Sequence, residues 1–246
     1  MRILHTSDWH LGRLFHGVHL TQDQAHILDQ LVDLVRDVQP QVVIISGDIF
    51  DRAVPPPEAV DLLDDVLERL VLGLQVPVIL IAGNHDSPVR LEFGSRLLAR
   101  SRLFVRGRVD PAMRPVVLSD ESGPVSIWAW PFAEIPEIRQ SLGRPDLPDQ
   151  TAALLAGLEH FRTIQPPGPR TVLVTHAFVA GGQSSESERP LSLGGVDQVP
   201  LETLADWNYV ALGHLHRPQS FDHGRVHYPG SLLKYSFSEI DHHKSG

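Results

Sequence analysis

Five short clusters hold the residues best suited to chemistry: Asp8 and His10 in SDWH, Asp48 in SGDIFD, Asn84 and His85 in GNHD, His176 in THA, and His214 and His216 in GHLH. Each follows an apolar, strand-like run, respectively RILHT, VVIIS, VILIA, TVLVT and YVAL. Asp8 and His10 stand two apart, so on extended backbone they point the same way and can share one ion. Cys is absent, which leaves His, Asp, Glu and Asn as the only metal donors. Oxygen and imidazole together suit manganese, iron or zinc in octahedral-like sites. Seven such ligands (Asp8, His10, Asp48, Asn84, His176, His214 and His216) suit two ions better than one. A carboxylate such as that of Asp48 can bridge ions about 3.5–4 Å apart, polarising a phosphoryl oxygen and holding a nucleophile in line. The chemistry this implies is phosphoester hydrolysis.

The elements that must position these groups alternate. Thr21 and Gln24 form a candidate capping box, after which Ile27, Leu28, Leu31, Leu34, Val35 and Val38 repeat at helical spacing as far as Pro40. Further helices are expected over Pro57 to Leu72, Ser87 to Arg102 and Asp149 to Ile164, the last ended by QPPGP. Strand, loop and helix in that order place the polar clusters beyond the strand ends, where open α/β sheets bind ligands. PVVLSD and VSIWAW read as an antiparallel hairpin, with Trp128 and Trp130 as core and rim residues, and RVHYPG reads as another strand. Ala180 to Pro200 is a long Gly, Ser and acidic excursion directly after the His176 cluster. Neither an internal repeat nor a domain linker stands out, so the chain reads as a single domain.

With 246 residues and 42% hydrophobic content, the chain can bury a substantial core. The absence of any apolar run approaching eighteen residues points to a soluble, cytoplasmic protein without a membrane. A formal net charge of −9 opposes a general nucleic-acid coat. Between Arg90 and Arg108, however, six Arg (Arg90, Arg96, Arg100, Arg102, Arg106 and Arg108) face a single acid, Glu92. That segment suits phosphates or a solvated face. His5 reads as a core residue, and His16 and His19 as neighbours of the first cluster. The apolar side chains of the Pro57 to Leu72 helix span roughly 180°, whereas one sheet needs a stripe of about 100°. Val60, Leu67 and Val71, at one margin, are left for a second surface.

The order D-x-H, GD-x-x-D, GNHD, a lone His and GH-x-H resembles the calcineurin-like metallophosphoesterases. The strings HTSDWHLGR, GDIFDRAVPP, GNHDSPVRL, SSESERPLSLGG, VALGHLHRPQ and YPGSLLKYSFSE are similar to those of SbcD-type nucleases, which repair DNA double-strand breaks. This resemblance implies a four-layer α/β/β/α sandwich with two mixed sheets over residues 1–246, without the family's C-terminal capping and ATPase-binding regions. It implies a nucleoid-associated, manganese-dependent DNA exonuclease and endonuclease working with an SbcC-type SMC-like ATPase; Mg2+, Fe2+ and Zn2+ are alternatives for the metal. A small-substrate phosphatase or cyclic-nucleotide phosphodiesterase is the alternative activity. By resemblance, Asp8, His10 and His216 would hold one ion, and Asn84, His176 and His214 the other, with Asp48 shared. His85 would be catalytic, protonating the leaving 3′-oxygen; Asp86, directly after it, would either orient the imidazole or serve as a salt bridge or cap. Arg13, Arg52, Arg90 and Ser231, which lie in the same strings, would bind substrate. A homodimer would pair the helix bearing Val60, Leu67 and Val71 with Leu97 and Leu98. Where relatives carry a further His, this chain has Asp51, read here as a turn carboxylate.

Overall fold

Alternation along the strands dictates the layers. In the computed structural model, which describes residues 1–164, 168–191 and 198–244, β1 (Ile3–Thr6), β2 (Val42–Ile45), β3 (Val78–Ile81) and β4 (Leu103–Arg106) form a four-stranded sheet in chain order. A six-stranded sheet contains β5 (Val116–Asp120), β6 (Gly123–Trp130), β7 (Thr171–His176), β8 (Tyr209–Gly213), β9 (Gln219–Phe221) and β10 (Val226–Tyr228), in the order β9-β10-β8-β7-β6-β5. Val42 and Ile44 of β2 and Ile79 and Ile81 of β3 meet Ile127, Ala129, Val172 and Val174 of the other sheet. Their neighbours Val43, Ile45, Val78 and Leu80 point the opposite way, into the helices α1 (Thr21–Val38) and α2 (Pro57–Glu68).

On the far side of the larger sheet, Trp128, Trp130 and Leu173 pack against Ile138 of α5 (Ile135–Leu142) and Leu154, Leu158 and Phe161 of α6 (Gln150–Ile164). The result is the α/β/β/α sandwich. The expectation of two mixed sheets narrows, because the four-stranded sheet is parallel throughout, each of its connections being a helical crossover. Only the six-stranded sheet is mixed, with the hairpin β5/β6 antiparallel at one edge and β9/β10 antiparallel at the other.

Three local expectations change. The helix expected over Ser87 to Arg102 is broken into α3 (Pro88–Leu91) and α4 (Ser95–Leu98), because Gly94 takes φ 72, the left-handed conformation glycine adopts without steric cost. The helix expected over Pro57 to Leu72 leaves α geometry at Glu68 and continues as a π-turn over Arg69–Gly73, in which Leu74 N–H donates to Arg69 O. This wider turn shifts the phase of the apolar stripe, so Val71 is buried in the core; Leu67, within α2, is half-buried against it. Finally, α1 starts after Leu20 without a side-chain cap, so Thr21 and Gln24 form no capping box. Residues 165–167 of the QPPGP stretch, residues 192–197 of the 180–200 excursion, including SLGG, and the last two residues lie outside those described.

His5 is a core residue, as expected. Its Nε2 is 2.8 Å from Ser46 Oγ and its Nδ1 3.0 Å from Tyr209 Oη. Burial, reinforced by His227, pushes its pKa from 6.5 down to about 3. The unfolded chain therefore takes up the proton first, and stability falls as pH drops from about 6.5 towards about 3. At pH 5 this costs about 2 kcal/mol. His5→Gln should remove that part of the acid sensitivity, narrowing the gap between melting temperatures at pH 7 and pH 5 in a calorimetric comparison with the native chain. An unchanged gap would assign the acid sensitivity to other groups.

Candidate metal centre

The polar clusters meet at the C-terminal ends of five parallel strands drawn from both sheets. Past β1 and β2 the parallel ladder continues into the loops: Asp8 N–H donates to Gly47 O (3.0 Å), His10 N–H to Asp48 O (3.0 Å) and Leu11 N–H to Ile49 O (2.9 Å). Asp8, His10 and Asp48 have φ of 54, 47 and 51, and His214 has φ 109, a concentration of positive φ in non-glycine residues at one place. His176 ends β7 directly beside Gly213 of β8. Gly83 serves close approach rather than a turn, since a Cβ there would overlap the Asp48 carboxylate.

Asp8, His10, Asp48, His85, His176, His214 and His216 are all buried, and Asn84 is half-buried. Donor atoms of Asp8, His10 and His216 lie within 4.8 Å of one another, as do those of Asp8, Asp48 and His176, and those of His10, Asp51 and His85. The Nε2 atoms of His10 and His216 face each other at 3.0 Å. Asp48 Oδ2 lies 3.6 Å from His10 Nε2, 3.6 Å from His176 Nε2 and 3.8 Å from His85 Nε2. Asn84 Oδ1 lies 2.9 Å from His176 Nε2. His214 enters through its backbone N–H, 3.1 Å from both oxygens of Asp8, and through its ring, 5.4 Å from that of His176.

Burial dominates the electrostatics. It raises the Asp8 carboxyl to about 8 and Asp48 well above its ordinary value, and lowers His10 and His214 well below theirs. Neutral imidazoles and crowded carboxyls with facing lone pairs are a donor set in want of positive charge, which a divalent cation supplies. The residues fit a divalent-metal site.

The residues expected to act on substrate separate into distinct groups. His85 sits in the cluster, but its ring is not oriented by Asp86. Its Nδ1 faces the backbone O of Asp51 at 2.9 Å. The Asp86 carboxylate instead accepts from the N–H groups of Ile49 (3.1 Å), Phe50 (2.9 Å) and Gly83 (2.9 Å), tying the second motif loop to the third. Asp51 holds Arg13 at 2.9 Å, and Arg13 also lies over the Tyr235 ring. Arg52 and Arg90 are exposed. Ser231 is fully buried, donating to Leu233 O and accepting from Lys244 Nζ, so it braces the loop and has no free face for substrate.

Sequence reasoning missed Gln24, Ser187, Glu188 and Glu239 as parts of this site. Gln24 Nε2 donates to Trp9 O and His10 O, and its Oε1 accepts from Gly12 N–H, which fixes the first motif loop. Glu188 Oε1 accepts from His216 N–H at 2.7 Å, and burial raises its carboxyl to about 7. Glu239 and Ser187 face the His216 ring. Glu188 and Glu239 lie within the strings SSESERPLSLGG and YPGSLLKYSFSE, but carboxylates in polar loops give no sign of burial.

Comparison with known proteins agrees with this geometry. Residues 1–218 match the family described as calcineurin-like phosphoesterases. The chain is 36% identical over 244 residues to the SbcD subunit of nuclease SbcCD from Staphylococcus epidermidis, covering 99% of this chain and 64% of that protein. It is 38% identical over 239 residues to that of Staphylococcus saprophyticus, covering 97% of this chain and 62% of that protein. The chain thus spans somewhat under two thirds of these relatives. The crystal structure of TT1561 of Thermus thermophilus superposes with a TM-score of 0.53 at 14% identity, over 94% of this chain and 90% of that one, a likeness of fold.

Asp86→Ala would leave three buried N–H groups without an acceptor, each costing about 1–3 kcal/mol. We expect a loss of at least ~3 kcal/mol in stability, read by denaturant unfolding. A variant as stable as the native chain but catalytically slow would return Asp86 to a role in catalysis.

Proposed function

Because the chain belongs to the calcineurin-like phosphoesterase family, we propose that it is the catalytic domain of a manganese-dependent DNA nuclease that hydrolyses phosphodiester bonds with two ions. One observation carries the two-ion reading. Asp48 Oδ2 stands 3.6 Å from a nitrogen of His10 and 3.6 Å from one of His176, between the two groups of donors. Asp8, His10 and His216 would take one ion, Asn84, His176 and His214 the other, with Asp48 shared. Bound there, the ions would polarise the phosphoryl group and supply a nucleophile at neutral pH. DNA as the substrate is supported by the two Staphylococcus relatives, both of which are named as part of nuclease SbcCD. The same name supports partnership of the whole protein with an SbcC-type ATPase.

His85 would serve the leaving group. With Nδ1–H donated to Asp51 O, its Nε2 is turned to the cluster, 3.8 Å from Asp48 Oδ2. Burial lowers its pKa to about 4, so the ring is neutral before substrate arrives. A phosphate anion against Nε2 favours the protonated form and makes the ring an acid towards the departing 3′-oxygen. His85→Ala should keep two manganese ions per chain by elemental analysis while slowing cleavage of labelled single-stranded DNA at least ~100-fold. Loss of an ion, or cleavage at the native rate, would overturn the role. If the native chain hydrolyses cyclic nucleotides or phosphoprotein mimics in preference to DNA, the small-substrate phosphoesterase reading replaces the nuclease.

Pairing of two copies would use the surface around α4. Leu97 is 74% exposed, and Phe93, Val89, Leu98 and Val60 are exposed as well, whereas Val71 and Leu67 belong to the core and its margin. Burying a charge in an apolar contact is costly, so Leu97→Asp should convert a dimer into a folded monomer by light scattering. A native chain that is monomeric at micromolar concentration would rule the pairing out.

A further inference from the structure

The histidines of the centre are not backed alike. His176 Nδ1 is bound to the backbone O of Ser46 at 2.9 Å, and His85 Nδ1 to the backbone O of Asp51. His216 Nδ1 instead lies 2.7 Å from Ser187 Oγ and 3.2 Å from Glu239 Oε1. Glu239 is fully buried. Ser187 Oγ donates to Glu239 Oε1, so it accepts from His216 Nδ1–H. Lys244 Nζ holds the other oxygen, Oε2, at 2.6 Å and also binds His216 O at 2.8 Å. This network fixes the His216 tautomer, with the proton on Nδ1 and the Nε2 lone pair turned towards His10 and Asp8.

We infer that Glu239 is a positioning residue for His216, a buried carboxylate that strengthens the imidazole as a ligand and makes the two ion positions unequal. The inference rests on the two-ion reading proposed above. An imidazole that donates to a carboxylate, here directly at 3.2 Å and through the Ser187 hydroxyl, is more basic and more firmly oriented than one that donates to a peptide carbonyl, and such partners are worth about 10–100-fold in metal affinity. The ion held through His216 has this support, and the ion held through His176 has a carbonyl in its place. The loop bearing Ser187 and Glu188 and the tail from Tyr235 to Lys244 thus converge on one ligand, although neither contributes a ligand itself. Glu188 holds the backbone N–H of the same His216.

The test is titration of the metal-stripped chain with manganese alone, by calorimetry, for the native protein, Glu239→Gln and Glu239→Ala, with thermal melting of each stripped protein as a check on folding. Gln keeps the shape and an acceptor for His216 and removes the charge. We expect one of two manganese sites to weaken about tenfold in Glu239→Gln and about 100-fold in Glu239→Ala, while the other keeps its native affinity. Glu239→Gln binding both ions as the native chain does would overturn the inference and leave the two-ion reading standing. Equal loss at both sites together with a lowered melting temperature would also overturn it, showing a structural role only. A native chain that binds fewer than two ions would overturn the two-ion reading and this inference with it.

Discussion

The structure depends on crowding lone pairs where little solvent reaches. Two buried carboxylates, Asp8 and Asp48, and five buried imidazoles, those of His10, His85, His176, His214 and His216, share one edge of the sandwich. Each group alone loses hydration on burial, and together they have few protons to share. The 3.0 Å approach of the Nε2 atoms of His10 and His216 illustrates the difficulty. With the Nδ1 of His216 committed to Ser187 and Glu239, His10 must donate from Nε2, which leaves its own buried Nδ1 without a partner. Positive charge placed among these groups turns each repulsion into attraction, because it favours ionised carboxyls and neutral imidazoles at once. A divalent cation suits this arrangement of donors.

Holding such a cluster requires a scaffold that does not relax. Both sheets supply strands whose inner and outer faces are apolar, so their ends are fixed by packing against another sheet on one side and helices on the other. The loops that leave those ends would otherwise open to relieve their positive φ angles. Buried polar side chains with no direct part in the cluster prevent this. Asp86 joins the loops after β2 and β3, Gln24 pins the loop after β1 to α1, and the Ser46 carbonyl reaches across to the ring of His176. The strain at Asp8, His10 and Asp48 is sustained by these contacts, and Asp86 takes part in them through backbone hydrogen bonds.

What could be read from the residues followed from periodicity and repetition. Five apolar runs ending in polar clusters pointed to one edge, and of Trp128 and Trp130, read as core and rim, both proved to be core. Expectations failed where a single residue changed the local geometry. Gly94 broke a helix that its neighbours would have continued, and the π-turn over Arg69–Gly73 moved Val71 from an outer margin to the core. The roles of Asp86 and Ser231 were hidden for another reason. Asp86 was read from its place next to His85 and Ser231 from a motif string, whereas their hydrogen bonds run to groups such as Phe50 and Lys244, which only the folded chain brings near. Glu239 was hidden in the same way, in a tail that pairs with residues 187 and 216 across the fold.

Net charge illustrates how position outweighs totals. A chain with a formal charge of −9 is a poor general partner for a polyanion. Yet the acids nearest the centre do not present their charge to solvent. Asp8, Asp48 and Asp86 are buried, Asp51 is paired with Arg13, and Glu239 is engaged by Lys244, His216 and Ser187. Divalent ions among the first of these would reverse the local sign altogether. Of the basic residues, Arg13 is held by Asp51 and Tyr235, while Arg90, Arg96, Arg100 and Arg102 lie exposed around α3 and α4, close in sequence to His85. Attraction for a phosphate chain would therefore come from the centre itself, from the exposed Arg52 and from this arginine-rich stretch. The acids along the outer faces of α1 and α2 bear on solubility more than on substrate.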